Sequence, residues 1–225
     1  MTVNFWQAKT MPYSWYPQNT TWLWCGTDQP ESQNLNWTIP ITYKFNEQGF
    51  RTYSFESNKN NKVNLALGCS QTMGIGLPVE MTWPYEIEKK TNIITLNLGL
   101  GSGSTDTVAR ILTNIAGLFD IQSVYILWPT NARFELYNDN DSIISILPNR
   151  CQIEHTWYLD ESNSLQRFYK NRNQVLTLQE LYRFNLHEIH YDSDWRVPGD
   201  LARDQQHSGH QSNLNLANMF LTDEK

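Results

Sequence analysis

The stretch Val63-Asn64-Leu65-Ala66-Leu67-Gly68-Cys69-Ser70-Gln71-Thr72-Met73-Gly74 joins an apolar run to a turn of small and polar residues. The run has the length and composition of a buried strand. In open α/β sheets, ligands bind outside the carboxyl ends of the strands, and glycine permits a tight turn at that point. The sequence therefore predicts a strand whose end presents a serine, Ser70, to a crevice.

A carboxylate and an imidazole stand three residues apart near the other end of the chain, in Asp204-Gln205-Gln206-His207-Ser208-Gly209. With Ser70 they complete the residue types of a Ser-His-Asp triad. In such a triad the imidazole takes the proton of the serine hydroxyl, and the carboxylate orients the imidazole. The sequence therefore predicts Ser70 as nucleophile, His207 as base and Asp204 as its partner.

Apolar runs of strand length alternate with helical patterns from residue 62 onward. Further strands are predicted at Ile93-Ile94-Thr95-Leu96, at Val124-Tyr125-Ile126-Leu127-Trp128 and at residues 184–191, and helices at residues 79–90, 106–119 and 165–182. This alternation is typical of a parallel sheet with crossover helices. The predicted fold class is α/β, with three layers in the order α/β/α.

The order and separation of these segments resemble those of the SGNH (GDSL-like) hydrolase family. The first block of that family is a Gly-Asp-Ser turn after the first strand, and its last block is Asp-x-x-His near the C-terminus. Its glycine block is matched by Asn97-Leu98-Gly99-Leu100-Gly101-Ser102-Gly103-Ser104 after the second run, and the asparagine of its Gly-x-Asn-Asp block by Asn131 after the third. The resemblance covers residues from about 40 to about 220.

The resemblance implies a flavodoxin-like sheet and a serine esterase that needs no metal or organic cofactor. It also implies an oxyanion hole formed by the backbone N–H of Ser70, a backbone N–H near Ser102 and the side-chain amide of Asn131. Residues 45–51 and 76–84 resemble members of the family that act on glycan acyl groups. The implied substrate is an O-acylated saccharide, such as an O-acetylated one.

Three positions depart from the pattern of the family. Cys69 stands where the family has aspartate, Ser102 takes the place of the oxyanion glycine, and Pro129-Thr130-Asn131-Ala132 lacks the glycine and the final aspartate of the third block. A backbone N–H can still come from Ser102 or Gly103. These departures leave a second hypothesis open, a binding or structural module on the same fold that has lost activity. A virion component that meets host surface glycans is one such module.

Each catalytic candidate has a structural alternative. Ser70 can be an ordinary turn serine, and Cys69 is a rival nucleophile because a thiol beside a histidine would serve. His207 can be a surface histidine, with His210 close to it in sequence. The Asp-x-x-His spacing favours His207, because a tight turn lets the carboxylate hold Nδ1–H while Nε2 faces the serine. The resemblance favours Ser70 as the nucleophile.

His187 and His190 form a His-x-x-His pair that suggests a metal site. The predicted strand at residues 184–191 argues against one, because its alternation puts positions three apart on opposite faces. The pair is therefore predicted to be structural. Asp192 and Asp194 follow this strand as substitutes for the triad carboxylate, and are interpreted as loop residues.

The composition fits one compact unit with an acidic surface. A chain of 225 residues, 40% of them hydrophobic, is long enough for one domain with a core. The net charge of −6 argues against a nucleic-acid binder, because the phosphate backbone attracts clustered lysine and arginine. The basic cluster of Arg167, Lys170 and Arg172 is predicted to be a solvated helix face.

Residues 1–55 differ in composition from residues 56–225, which hold the hydrolase-like motifs. They contain five of the nine tryptophans, namely Trp6, Trp15, Trp22, Trp24 and Trp37. Such rings can stack on sugars, but large aromatic residues more often serve packing. We predict an aromatic-rich N-terminal extension, irregular or short-stranded, that packs on a domain formed by residues 56–225.

Cys25, Cys69 and Cys151 are an odd number of cysteines at wide spacing, which predicts reduced thiols instead of disulfides or a zinc site. The first nine residues lack the charged start and apolar core of a secretory signal, and no apolar run approaches the length of a membrane span. The expectation is a soluble protein, cytoplasmic or virion-associated, that acts on a small-molecule or glycan ester. The sequence does not predict its oligomeric state.

Overall fold

The computed structural model describes residues 13–32, 37–137, 143–148 and 156–222. The strands in these residues are β1 (Thr21–Trp22), β2 (Tyr43–Lys44), β3 (Lys62–Leu67), β4 (Thr95–Asn97), β5 (Asp120–Trp128), β6 (Phe134–Tyr137), β7 (Ile143–Ile146) and β8 (Asn185–His190). The helices are α1 (Phe55–Asn58), α2 (Ser70–Met73), α3 (Trp83–Thr91), α4 (Thr105–Ile115), α5 (Thr156–Leu159), α6 (Glu161–Tyr182) and α7 (His210–Thr222). Short 3-10 turns occur at Pro30–Ser32 and Val79–Met81.

Four parallel strands form the central sheet in the spatial order β4-β3-β5-β8. When these four strands are numbered 1 to 4 along the chain, their spatial order is 2-1-3-4. This order matches the first four positions of the flavodoxin-like order 2-1-3-4-5. The chain leaves β3 toward one edge of the sheet and returns to β5 on the other side. The crevice of such a sheet lies at this switch point, beyond the carboxyl ends of β3 and β5.

Helices cover both faces of the sheet. The core on one face contains α3 and α7, through Trp83, Ile87, Leu216 and Phe220. The core on the other face contains α4 and α6, through Val108, Ile111, Leu112 and Val175. The predicted three-layer α/β/α class is confirmed by this arrangement.

The ends of some predicted elements differ from those observed. The helix predicted at residues 79–90 is a 3-10 turn at Val79–Met81 followed by α3, because Thr82 is extended between them. Pro84 lies in the first turn of α3, where its missing N–H costs nothing. The antiparallel pair of β6 and β7 was not predicted, since its strands have only four residues each.

The described part of residues 1–55 packs against the α/β domain. β1 and β2 pair antiparallel, and Ile41, Tyr43 and Phe45 share a buried cluster with Met73 and Ile75. Three partly buried tryptophans of this region also contact the core clusters, namely Trp15, Trp22 and Trp37. These contacts agree with the prediction that the tryptophans serve packing. Trp6 lies outside the described residues.

The prediction of a solvated basic face on α6 is wrong for two of its three residues. Arg172 forms an ion pair of 2.7 Å with Glu188 of β8. Arg167 donates from Nη2 to the backbone carbonyl of Asn131 at 2.7 Å. Both arginines project from α6 toward neighbouring elements that supply acceptors, and only Lys170 is exposed as expected.

Cys25 and Cys69 are free, buried thiols, and Cys151 lies outside the described residues. In the part of the chain that the structure describes, none of the helices combines the length and the apolar character needed to cross a bilayer.

Candidate active site

Ser70 lies where the first strand of the central sheet ends and a short helix begins. β3 ends at Leu67, and Ser70 is the first residue of α2, with its side chain partly exposed. Gly68 permits this turn to lie against β5, because a Cβ there would be 2.8 Å from the carbonyl oxygen of Leu127. The serine therefore lies beyond the carboxyl end of β3, beside the switch point of the sheet.

The structure brings Ser70, His207 and Asp204 together. His207 Nε2 lies 2.7 Å from Ser70 Oγ, and His207 Nδ1 lies 2.6 Å from Asp204 Oδ2. An ionised carboxylate can only accept hydrogen bonds, so the proton of neutral His207 is assigned to Nδ1. Nε2 can then accept a hydrogen bond from the serine hydroxyl. Asp204 is fully buried, whereas 12% of the His207 side chain is exposed. A hydroxyl, a base and an orienting carboxylate are thus within hydrogen-bond reach of one another.

The Asp-x-x-His spacing is explained by the turn that carries it. Asp204 Oδ1 accepts the backbone N–H groups of Gln206 and His207 at 3.2 and 3.0 Å. Gln205 has a φ of 56°, and Ala202 N–H donates to the carbonyl of His207 at 2.9 Å. These bonds fold the loop so that the carboxylate and the imidazole of residues three apart meet.

The charge of Asp204 is stabilised where it is buried. Burial acts to raise the pKa of this carboxyl, but the hydrogen bond and charge of His207, together with a hydrogen bond from Thr27, lower the pKa to about 2. A carboxylate with such a pKa remains ionised at neutral pH. It can therefore hold His207 Nδ1–H and stabilise an imidazolium.

The lowered pKa predicts a specific acid sensitivity. Asp204 contributes stability that is fully present above its unfolded pKa near 3.8 and is lost as pH falls toward 2. We therefore expect the difference in free energy of unfolding between wild type and Asp204→Asn to be smaller at pH 2.5 than at pH 5. Urea unfolding of both proteins at the two pH values measures this difference. A gap that stays constant would contradict the assignment.

Three backbone N–H groups of the glycine block already have hydrogen-bond acceptors. Gly99 N–H donates to Asn97 Oδ1 at 3.0 Å, and Gly103 N–H donates to the Leu100 carbonyl at 2.9 Å. Leu100 N–H donates to the carbonyl of Gly68, which follows β3, at 3.2 Å. Gly101 lies against the hydroxyl of Tyr16, which is the atom that a Cβ at this glycine would meet first. The block is thus fixed against both the end of β3 and the N-terminal region.

The Ser102 N–H has no acceptor among the described residues. Its φ of 65° turns the backbone into the left-handed region, and its carbonyl accepts from the Ser145 hydroxyl at 2.8 Å. The alternative donor that we considered, Gly103, is excluded because its N–H is already bonded. Ser102 remains as the candidate oxyanion donor of this block.

Hydrogen bonds to three other segments hold the helix that begins at Ser70. Asn97 Nδ2 donates to the Thr72 carbonyl at 2.8 Å, and Gln71 Oε1 accepts the Ser208 N–H at 3.2 Å. At the far end of α2, Arg51 donates to the Gly74 carbonyl at 2.7 Å. The glycine block and the histidine loop are thereby tied to the same helix.

Cys69 does not take the place of Ser70. It is 1% exposed and precedes α2, without a capping hydrogen bond from its side chain. His207 Nε2 instead pairs with the Ser70 hydroxyl. The geometry therefore contradicts Cys69 as the partner of the base, and agrees with a buried thiol.

The sequence reasoning missed Thr27, which reaches the site from the N-terminal region. Its Oγ1 donates to Asp204 Oδ2 and lies 3.4 Å from His207 Nδ1. The contact joins residues 177 positions apart. No local pattern around Thr27 signals it, because a threonine in a polar loop is ordinary.

Ser70 thus follows the first strand of a 2-1-3-4 parallel sheet, and the Asp-x-x-His turn precedes the last helix of the described residues. No family model and no curated protein matches the chain.

Several solved structures are similar to the chain at low identity. A lipolytic protein of the G-D-S-L family from Desulfitobacterium hafniense DCB-2 is 15% identical, covering 72% of this chain and 97% of that one, with a TM-score of 0.37. A carbohydrate acetylesterase from Sinorhizobium meliloti is 11% identical, with 72% and 98% covered and a TM-score of 0.38. The native aryl esterase of M. smegmatis is 12% identical, with 72% and 97% covered and a TM-score of 0.38. Because these identities and TM-scores are low, the fold is assigned from the strand topology, and any activity has to be argued from the geometry of the site.

The other titratable candidates lie away from the triad. His187 stacks on Tyr125 with ring centroids 4.7 Å apart, whereas His190 Nδ1 lies 3.3 Å from Asp192. Tyr125 belongs to the core under α3 and α7, and His190 contacts Phe168 of α6, so the two histidines are on opposite faces as predicted. The described residues contain no cluster of histidine, cysteine and acidic side chains that could hold a metal ion.

Asp194 is an exposed loop residue. His210 is the first residue of α7, and its Nε2 lies 3.4 Å from the carboxylate of Glu86 in α3.

Asn131 follows β5 in a turn, and its side-chain Oδ1 is buried and accepts no hydrogen bond from the described residues. Its role as an oxyanion donor stays a prediction.

Two cavities lie apart from the triad. One of about 590 Å³ is lined by residues of β2, α3 and the loop before α1, including Tyr53 and Tyr85. The other, of about 880 Å³, lies beside β8 and is lined by Tyr125 and His187. None of the triad residues lines either cavity. The candidate site is instead the partly exposed surface around Ser70 and His207.

Proposed function

We propose that the protein is a serine ester hydrolase whose nucleophile is Ser70. The observation that carries the proposal is the chain of contacts from Ser70 Oγ through His207 to the buried Asp204, at 2.7 and 2.6 Å. Both distances lie within the reach required of a nucleophile, its base and the group that orients the base.

The proposed reaction has two halves. Ser70 Oγ attacks the acyl carbon while His207 Nε2 takes the hydroxyl proton, which gives a tetrahedral oxyanion. The bond from the acyl carbon to the leaving oxygen then breaks, and His207 returns the proton to that oxygen. Water, activated by the same imidazole, cleaves the acyl-serine and restores the hydroxyl. Protein groups alone suffice for these steps.

The oxyanion would be bound by the backbone N–H of Ser70, the N–H of Ser102 and the side-chain amide of Asn131. Support for Ser102 comes from its N–H, which has no acceptor among the described residues, whereas the N–H groups of Gly99, Leu100 and Gly103 are bonded within the protein. Each such donor is worth on the order of 3 kcal/mol of the barrier.

The proposed substrate is the ester of an acyl group, such as acetyl, with a saccharide or a similar alcohol. It is supported by the resemblance of residues 45–51 and 76–84 to glycan-acyl members. Both segments contact elements that carry the triad: Arg51 holds the far end of α2, which begins at Ser70, and a Cβ at Gly76 would be 3.0 Å from Asp204 Oδ1. The acyl group and the alcohol are left open.

A covalent trap tests the proposal. A fluorophosphonate probe should add to wild-type protein at one site, with the adduct mapped by mass to Ser70. Cys69→Ala should label like wild type, because the thiol next to Ser70 has no part in the reaction. If folded wild type takes no label, the hydrolase proposal fails and the binding-module hypothesis is favoured. An adduct at Cys69 would reverse the choice of nucleophile.

Replacing Asn131 with alanine should lower kcat about a hundredfold while KM changes little, because an oxyanion donor acts mainly in the transition state. Turnover of p-nitrophenyl acetate and the melting temperature are measured on one preparation. A normal kcat with a lowered melting temperature would make Asn131 a turn residue only. The oxyanion would then be bound by Ser70 and Ser102.

A further inference from the structure

The loop that carries Asp204 and His207 is fixed by an N-terminal segment, residues 23–28. Arg203 and Asp28 form a bidentate ion pair, with Arg203 Nε 2.8 Å from Asp28 Oδ1 and Nη2 bonded to Oδ2. Their side chains are 7% and 0% exposed. Arg203 Nη2 also donates to the Leu23 carbonyl at 2.9 Å. The residues next to Thr27 and next to Asp204 are therefore locked to each other.

A second contact extends this connection to the segment after α2. The Tyr43 hydroxyl donates to Asp28 Oδ2 at 2.6 Å and accepts the Gly76 N–H at 2.8 Å. Gly76 in turn accepts the Arg203 N–H at 2.9 Å through its carbonyl. Asp28 thus has three donors, which a buried carboxylate requires.

Thr27 completes the set of donors around Asp204. Oδ1 of Asp204 accepts two backbone N–H groups of its own loop, whereas Oδ2 accepts His207 Nδ1–H and the Thr27 hydroxyl. Four donors fill the acceptor sites of a carboxylate. Without Thr27, Oδ2 would keep only the histidine as a donor, and rotation of the carboxylate would meet less resistance.

We propose that Thr27, held in place by the Asp28–Arg203 ion pair, is a positioning residue that fixes the carboxylate of Asp204 against His207. The inference rests on the proposed hydrolase function for its kinetic consequence. Its structural consequence, a defined hydrogen bond between Asp204 and His207, does not depend on turnover. Thr27 contacts the orienting carboxylate and acts on the reaction only through it.

Thr27→Val and Thr27→Ser test the role of the hydroxyl. Valine keeps the shape of threonine and loses the donor, so kcat should fall about tenfold or more with KM unchanged, as expected for the loss of a hydrogen bond to a charged group. Serine keeps the donor and should retain kcat close to that of wild type. Thr20→Val is the matched control, because it removes a hydroxyl of the same region that donates to the Pro17 carbonyl and not to Asp204.

A second readout does not need activity. The proton on His207 Nδ1 should give a low-field resonance in the ¹H NMR spectrum of wild type, assigned by its loss in His207→Gln. Thr27→Val should shift or broaden it, and Thr27→Ser and Thr20→Val should not. An unchanged resonance and an unchanged kcat in folded Thr27→Val would overturn the inference while leaving the hydrolase proposal in place. A wild type without label or turnover would overturn the hydrolase proposal, and the resonance would still decide the role of Thr27.

Discussion

Replacing Ser70 with alanine should lower kcat for p-nitrophenyl acetate by about ten-thousandfold or more and should abolish labelling by a fluorophosphonate. The substitution removes the oxygen that lies 2.7 Å from His207 Nε2, so no acyl-serine can form. The fold should survive, because the Ser70 side chain is partly exposed and its hydroxyl bonds to the side chain of His207. Residual activity would come from binding and the oxyanion donors alone.

The triad also predicts that substitutions within it are not additive. His207→Ala should cost about as much as Ser70→Ala, and the double variant should be no slower than either, because the residues act as a unit. Ser57→Ala, an exposed serine of α1, serves as the control. Turnover and circular dichroism of the four proteins give the comparison. An active, folded Ser70→Ala would sink the proposed mechanism.

Gly99→Ala is expected to lower kcat about a hundredfold and to destabilise the protein by about 1–3 kcal/mol. A Cβ at this position would lie 2.7 Å from Thr72 Cβ and 2.8 Å from the Thr72 backbone carbon, both in the helix that begins with Ser70. Backbone cannot yield as the end of a flexible side chain can. The helix would have to shift, and with it the serine hydroxyl relative to His207.

Gly117→Ala is the matched control for Gly99→Ala. The atoms nearest to its Cβ would be the hydroxyl and ring carbons of Tyr182, at 3.1 Å or more, and Gly117 lies in the turn after α4. The measurements are kcat, KM and the midpoint of urea unfolding for both variants. A Gly99→Ala protein that is destabilised but has normal kcat would show that the block supports the fold without positioning the nucleophile.

Much of the fold was predictable because its signals are local. The apolar run before Ser70 and the alternation of strands and helices after it follow from short-range periodicity, and the structure has them in the expected order. The pairing of Asp204 with His207 was predictable for the same reason, since a single turn of backbone hydrogen bonds brings them together. Element ends were less predictable, because they depend on single backbone angles such as those of Thr82.

The remaining features of the site depend on contacts between distant segments. Thr27 meets Asp204, and Asp28 meets Arg203, over 175 positions or more, and nothing near either residue in the sequence indicates a partner. The choice of Ser102 over Gly103 depends on which N–H already has an acceptor, which only the folded backbone determines. Arg172 was misjudged for a similar reason, because Glu188 becomes its neighbour only when α6 packs on β8.

The contact between Thr27 and Asp204 has a consequence for how the chain folds during synthesis. The two residues are separated by 177 positions, which take roughly 10–35 s to translate at ordinary rates. Throughout that interval Asp28 has no arginine partner, and its carboxylate must stay hydrated while the sheet begins to assemble. Closing so long a loop is slow, because the chain loses conformational entropy before the contact between its ends can stabilise it. The candidate site is therefore among the last parts of the molecule to be completed, because a nascent chain that stops short of Arg203 still lacks Asp204 and His207.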